Sequence, residues 1–197
     1  MVMKPSQKRY LYYEEYAYIL DYLPHGYYTA DRVFVRGPVA QAVGEQYFML
    51  LELIPLEGIP LQPLERIYVG RKEINLKIER VSRRIRYDDL TLRARDTLEK
   101  AIETIIEKRE KYFVDFFNKA QPLTPKMHSL ELLRGIGKKT LWKILEERRK
   151  KPFETFKEIQ ERVKIPDPKR LILNRIIDEI INEREKYHVF TLPYYRR

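Results

Sequence analysis

The residues whose types and spacing could do chemistry lie between Leu130 and Arg149 and read LELLRGIGKKTLWKILEERR. Apolar Leu130, Leu132 and Leu133 precede Gly135-Ile136-Gly137, and Leu141, Ile144 and Leu145 follow it. The spacing predicts two short helices joined by a tight glycine turn. Gly135 and Gly137 permit backbone angles closed to other residues and leave N–H groups uncovered by side chains. Ile136 is expected to point inward and pin the turn. The helix after Gly137 opens with unpaired N–H groups and the positive end of its dipole, which together attract anions. Lys138 and Lys139 stand in that first turn, where the dipole favours acids. Two cations placed against that preference point to a phosphate. The pattern is that of a helix–hairpin–helix, a motif that holds nucleic-acid backbone. Arg134, Gly135, Ile136, Gly137, Lys138, Lys139 and Lys143 are the candidate contacts. A bare turn between helices is the competing reading.

A second hairpin is expected at Ile165-Pro166-Asp167-Pro168. It has no glycine pair, so it reads as structural, with Lys164, Lys169 and Arg170 still within reach of phosphate. Thr155 and Glu158 form a capping box for the helix before it. A further basic stripe runs from Arg66 to Arg86 with eight cations and two acids. From it Arg66, Arg71, Lys72, Arg83 and Arg84 join the candidate contacts, with Tyr68 or Tyr87 stacking on bases. The bland reading of that stripe is a solvated strand face with its aromatics in the core.

The elements that must position these groups fall into three parts. Residues 1–13 form a basic, tyrosine-rich arm. The spacing predicts strands over Glu14–Leu23, within Tyr27–Val35, over Gln46–Ile54 and Glu65–Val69, and alternating stretches at Ile74–Arg80 and Val81–Tyr87. Short strands without helices between them suggest a small closed barrel, of oligonucleotide-binding (OB) or SH3-like type. The period changes near Asp88. Asp89 or Thr91 can cap a helix, and Leu98, Ile102, Ile105 and Ile106 recur at helical spacing. This brace is expected to bend near Lys108–Lys111 and end at Pro122 and Pro125. Helices return from 127 to 186. The expected fold is therefore α+β: a small OB-like β-barrel with its arm at 1–88, a connecting helix at 89–125, and a helix–hairpin–helix bundle with a tail at 126–197.

Charge agrees with the motif. The 39 Lys and Arg against 29 Asp and Glu give a net charge of +10, which favours a polyanionic partner. Residues 1–90 carry a net of +1, whereas Lys126–Arg175 alone carry +8. The chain has no cysteine, which removes disulfides, thiolate metal sites and cysteine nucleophiles from consideration. No apolar run approaches the ~20 residues that span a bilayer. The cytosol is the expected compartment.

Little suggests an enzyme. Asp88 and Asp89 are adjacent and read as helix caps. A metal-dependent nuclease needs carboxylates converging from several elements. The glycines of the hairpin lack the longer loop of a nucleotide-binding Walker motif. His25, His128 and His188 stand alone and are expected in turns or at the surface. No cofactor is implied.

Taken whole, the chain resembles the archaeal family grouped as domain of unknown function 655. The matching stretches are EEYAYILDYLPHG (Glu14–Gly26), GEQYFMLLELIP (Gly44–Pro55), ERIYVG (Glu65–Gly70), YDDLTLRA (Tyr87–Ala94), YFVDFFNKA (Tyr112–Ala120) and HSLELLRGIGKKTLWKILEERRKKPFETF (His128–Phe156). The resemblance implies an OB-like barrel joined to a helix–hairpin–helix domain and nucleic-acid binding, with no catalytic role to carry over. Where the general hairpin pattern often has proline before the first glycine, this chain has Arg134. Non-catalytic binding of DNA or RNA follows as the expected function, and an adaptor in a ribosomal, transcription or repair assembly is the alternative. Protein partners in a ribonucleoprotein or repair complex fit either.

Overall fold

The computed structural model describes residues 14–182 and 184–194. The expected arm and its tyrosines Tyr10, Tyr12 and Tyr13, with Tyr195, Arg196 and Arg197, lie outside them. Mostly apolar runs form β1 (Tyr16–Leu23) and β5 (Leu50–Pro55), apolar residues set among polar ones form β6 (Arg66–Tyr68) and β7 (Ile78–Arg84), and a run of mostly small residues forms β4 (Val39–Gly44). These five make one antiparallel sheet in the order β6-β1-β4-β5-β7, curled into a half-barrel. The edge strands β6 and β7 are not paired with each other, so the sheet stays open where a closed barrel was expected. A separate hairpin, β2 (Gly26–Tyr28) and β3 (Phe34–Arg36), stands between β1 and β4 in the chain.

Three strand expectations change. β4 was missed, because Ala40, Ala42 and Gly44 carry little strand propensity. The strand forms because both its neighbours and the α1 helix bury it fully. The apolar stretch from Gln46 splits into a turn and β5. Glu14 holds that turn, its carboxylate accepting from Gln46 N at 2.7 Å, Tyr47 N at 2.9 Å and Met49 N at 3.1 Å. The two alternating stretches at 74–87 yield one strand, β7. Ile74 and Leu76 lie exposed in the loop before it. That loop is fixed by polar bonds: the Asn75 side chain accepts from Lys77 N and Ile78 N, and the Tyr68 hydroxyl accepts from Lys72 N and Glu73 N.

The helical part begins at α1 (Leu92–Lys108), capped by Thr91, whose hydroxyl accepts from Ala94 N at 3.0 Å. Asp89 has another role. It is buried and accepts from Ala30 N and Arg86 N, tying the β2–β3 hairpin to the start of the brace. Ala94, Leu98, Ala101, Ile102, Ile105 and Ile106 form the buried stripe of α1. Each fully buried isoleucine contributes about 2 kcal/mol. The expected bend occurs at Arg109, where α2 (Glu110–Lys119) starts. A small hairpin, β8 (Pro122–Thr124) and β9 (Met127–His128), leads to α3 (Lys138–Lys150), α4 (Phe156–Val163) and α5 (Pro168–Ile181).

One apolar cluster runs from β1 and β5 through α1 and α2 into α3–α5, and a second packs on the other face of the sheet. The tail crosses back between them. Buried Glu179 accepts from Val189 N, Phe190 N and Thr191 N and pairs with buried Arg175 at 2.7 Å. Phe190 stacks against Phe116 with ring centres 4.9 Å apart, and Leu192 N then donates to Tyr47 O at 3.1 Å.

Candidate functional site

The hairpin is built from His128 onward. A turn of 3₁₀ helix covers Ser129–Leu132, in place of the full first helix expected there. Its start is closed by a capping box. His128 Nδ1 accepts from Leu130 N at 3.1 Å, and the Glu131 carboxylate accepts from His128 N at 2.7 Å. His128 is buried rather than at the surface, and burial, then the Arg148 charge, lowers its pKa. Leu130 and Leu133 are buried beneath the turn. Gly135 sits at φ +96°, a conformation that L side chains rarely adopt. Ile136 is buried as expected, its N–H donating to Leu133 O at 3.0 Å.

Gly137 is the N-cap of α3 at φ −87° and supplies no capping side chain. The first helical bond runs from Leu141 N to Gly137 O at 2.9 Å. The N–H groups of Lys138, Lys139 and Thr140 precede it and meet no side-chain cap. A Cβ added at Gly135 or Gly137 would meet nothing within 4 Å, so the turn faces open space. Three other helix starts carry a side-chain cap: Thr91 on α1, Thr155 on α4 and Asp167 on α5; α2 has none but follows α1 directly through Arg109. Asp167 places an acid in the second hairpin, which is therefore closed to anions.

The candidate cations divide. Lys139 is exposed and Lys143 half-exposed, and neither meets an acidic partner among the described residues. Lys138 folds back, its Nζ donating to Glu131 at 2.8 Å and to Lys126 O at 2.9 Å. Arg134 is exposed and bridges to Asp178 on α5 at 2.8 Å. Arg148 is drawn inward to cap the end of α2, donating to Phe117 O and Ala120 O, each at 3.0 Å; burial lowers its pKa. Lys169 bridges to Glu103 and Glu107, and Arg170 to Glu99, so both hold α5 to α1 rather than reaching outward.

The half-barrel set is less available. Arg66 lies over the Tyr16 ring at 3.6 Å and pairs with Glu45 at 2.6 Å. Arg83 pairs with buried Glu52 at 3.0 Å. Arg84 lies under the tail, donating to Leu192 O at 2.9 Å and Pro193 O at 3.2 Å, and burial lowers its pKa. Arg71 and Lys72 are exposed on the loop between β6 and β7, with Lys72 reaching Glu15 at 3.3 Å. Tyr68 is occupied by its loop, and Tyr87 lies beneath Arg95. Among the described residues no group of three His, Asp or Glu could hold a metal ion. His188, expected at a turn or surface, is buried against Thr191 Oγ1 at 2.8 Å, while His25 is exposed.

Two aromatic features were not singled out from the sequence. Trp142 is 64% exposed on α3, one turn past the glycines. Its place off the Leu141–Ile144 stripe was the available signal. Tyr28 and Phe34 pair across the β2–β3 hairpin with ring centres 5.0 Å apart, and both are exposed. Their neighbours Thr29, Val33 and Val35, with Arg83, Arg86 and Asp89, line a cavity of about 230 Å³.

Residues 13–192 match the family model described as "Protein of unknown function (DUF655)". The chain belongs to that family. A DUF655 protein of known structure, Af1531 from Archaeoglobus fulgidus, is 46% identical; the match covers 91% of this chain and all of that one, with a TM-score of 0.80. The uncharacterized protein MJ0038 of Methanocaldococcus jannaschii is 39% identical over 187 residues, which is 94% of this chain and 83% of its own. Among the described residues of this DUF655 chain, no helix is long and apolar enough to cross a membrane.

Proposed function

We propose that this DUF655 protein is a non-catalytic, cytosolic nucleic-acid-binding protein that holds phosphate at the Gly135-Ile136-Gly137 turn. The observation that carries the reading is the start of α3. It is long, uncapped and open to solvent, and it stands in the most basic stretch of the chain. One or two phosphate oxygens would accept from the N–H groups that follow Gly137, with Lys139 and Lys143 adding salt-dependent attraction. Arg134 and Lys138 position the turn through Asp178 and Glu131 and add to its field. We read the hairpin with α3–α5 as a helix–hairpin–helix bundle, the half-barrel as OB-like, and α1–α2 as the brace between them. On the half-barrel side Arg71 and Lys72 are the contacts this reading keeps, and Arg66, Arg83 and Arg84 become structural.

A salt-series titration against single- and double-stranded DNA and RNA tests this. Binding of one form that persists at ~0.15 M salt supports the reading. Weak binding to every polyanion, lost alike in all as salt rises, defeats it. A second reading, a protein adaptor, draws on the exposed Tyr28, Val33 and Phe34 of the β2–β3 hairpin. Capture of a defined protein partner that is lost in Phe34→Glu would favour it.

A further inference from the structure

The chain has one tryptophan, and it is turned outward. Leu141 and Ile144 carry the buried face of α3, while Trp142 stands on the opposite side with 64% of its surface exposed. An indole left in water on a helix of this polarity calls for an occupant. Residues three and four apart share a helix face, so Lys138 and Lys139 lie beside Trp142 toward the glycine turn. Arg149 lies two turns on along the same side, and Lys143 follows directly. Among the described residues Lys139, Lys143 and Arg149 have no acidic partner within ion-pair distance. The acid on this face, Glu146, is paired with Lys150 at 2.8 Å. On this face Lys139 and Arg149 thus carry positive charge that no acid pairs, with Lys143 at its flank.

That combination selects its occupant. A purely apolar partner would leave three cations desolvated beside it. A nucleotide supplies both halves, a flat π-face for the indole and a phosphate for the lysines. Five residues separate Gly137 from Trp142, which is about 7 Å along the helix axis. A base belonging to the phosphate held at the turn, or to its neighbour, can reach across that distance. Inside a duplex both faces of every base are covered by stacking. We infer that Trp142 is a stacking platform for an unpaired base, and that the ligand of the hairpin is single-stranded or presents unpaired bases in a loop or overhang.

This inference rests on the hairpin reading above, and one experiment separates the two. The emission of the lone indole is followed while the full chain is titrated with a single-stranded homopolymer, a matched duplex and inorganic polyphosphate. Single strand should quench the emission, and polyphosphate should bind without quenching. With binding of all three proteins followed by the anisotropy of a labelled strand, since the variants lack the indole, Trp142→Ala should weaken single-strand binding by about 5- to 150-fold, the range one base–aromatic stack supplies, while Trp142→Phe retains most of it. Polyphosphate affinity should be equal in all three proteins. Because the side chain is exposed, neither variant should shift the melting temperature. If single strand binds the wild type and Trp142→Ala equally, or a duplex quenches as strongly, the platform is overturned and the phosphate site stands. If no oligonucleotide binds better than polyphosphate, both readings fall.

Discussion

The Arg83 guanidinium donates to the Glu52 carboxylate at 3.0 Å from one nitrogen and 3.2 Å from another. Glu52 is buried and also accepts from Tyr27 Oη at 2.7 Å and Ser82 Oγ at 2.9 Å. Burial would raise its pKa, but these three donors together hold it below the usual carboxylate range. The same contact, with burial, pushes the Tyr27 phenol up to about 12. An arginine at the surface of a basic stripe is thus a strut inside the sheet. Arg83→Ala should cost on the order of 1–2 kcal/mol in stability, because Glu52 loses its only charged donor and the half-exposed guanidinium is screened. Nucleic-acid affinity should be unchanged in chemically folded protein. A large affinity loss at an unaltered melting temperature would return Arg83 to the binding surface.

The two glycines of the hairpin should separate by readout. Gly135 is at φ +96°, so Gly135→Ala strains the turn and should cost about 1–2 kcal/mol. Gly137 has an ordinary φ and open space, so Gly137→Ala should be nearly neutral for folding. Gly137→Asp would cap α3 with its own carboxylate and occupy the anion position. It should keep or raise the melting temperature and weaken nucleic-acid binding about 10- to 100-fold, the worth of hydrogen bonds to a charged group. Intact binding in folded Gly137→Asp would remove phosphate from the turn.

The paired lysines should likewise differ. Lys138 is committed to Glu131, whereas Lys139 has no such partner. Lys139→Ala should lower the slope of log affinity against log salt by about 1 and leave stability unchanged. Lys138→Ala should loosen the turn as well, seen as faster amide exchange over residues 129–137. Equal behaviour of the two variants in both assays would contradict the geometry.

The hairpin was legible in the sequence because its signal is local. Gly135, Ile136 and Gly137 fix a backbone turn regardless of what packs around it. The same holds for the caps at Thr91 and Thr155, which need only the residues that follow. Long-range partners were not legible. Nothing near Arg84 in the chain announces that its acceptors are Leu192 and Pro193, and nothing near Arg170 announces Glu99. Counting cations along the Arg66–Arg86 stripe therefore overstated the basic surface. β4 was hidden for a related reason, since Ala40 and Ala42 are strand residues only by virtue of their neighbours. The helix that Leu130, Leu132 and Leu133 suggest before Gly135 shortens to the single 3₁₀ turn Ser129–Leu132.

The tail is fastened at two points, and each can be released alone. Glu179 holds three backbone N–H groups of the tail and the buried Arg175. Glu179→Ala leaves that charge only the longer contact with Glu185 at 3.5 Å and strips three backbone donors of their acceptor, and should cost about 3–5 kcal/mol. Arg84→Ala removes two bonds to tail carbonyls at the far end and should cost about 2 kcal/mol. Limited proteolysis should cut both variants near residues 187–194 earlier than the wild type. Neither should change the salt slope of nucleic-acid binding. A shallower slope in Arg84→Ala would mean that Arg84 reaches phosphate after all.

Acid should weaken the hairpin through its histidine. His128 Nδ1 accepts from Leu130 N, so the fold requires that nitrogen unprotonated. Burial and the charges of Arg148 and Lys138 lower its pKa from 6.5, although Glu131 opposes them. His188 is lowered too, by burial and Arg175, against Glu179 and Glu185. For both, the unfolded chain takes up the proton more readily than the native one. Their stabilisation is complete above the unfolded value of 6.5 and is lost as the pH falls through the depressed native values. The melting temperature should therefore decline between pH 7.5 and 5, offset in part by Glu14, whose pKa burial raises so that the native chain takes up that proton more readily. His128→Asn retains an acceptor for Leu130 N and cannot titrate. Combined with His188→Gln it should flatten the decline. The same slope in the double variant would mean that other groups set the acid limit. In His128→Asn alone, amide protection at residues 129–137, corrected for the intrinsic exchange rate, should no longer fall with acid, because this histidine closes the turn that carries Gly135 and Gly137.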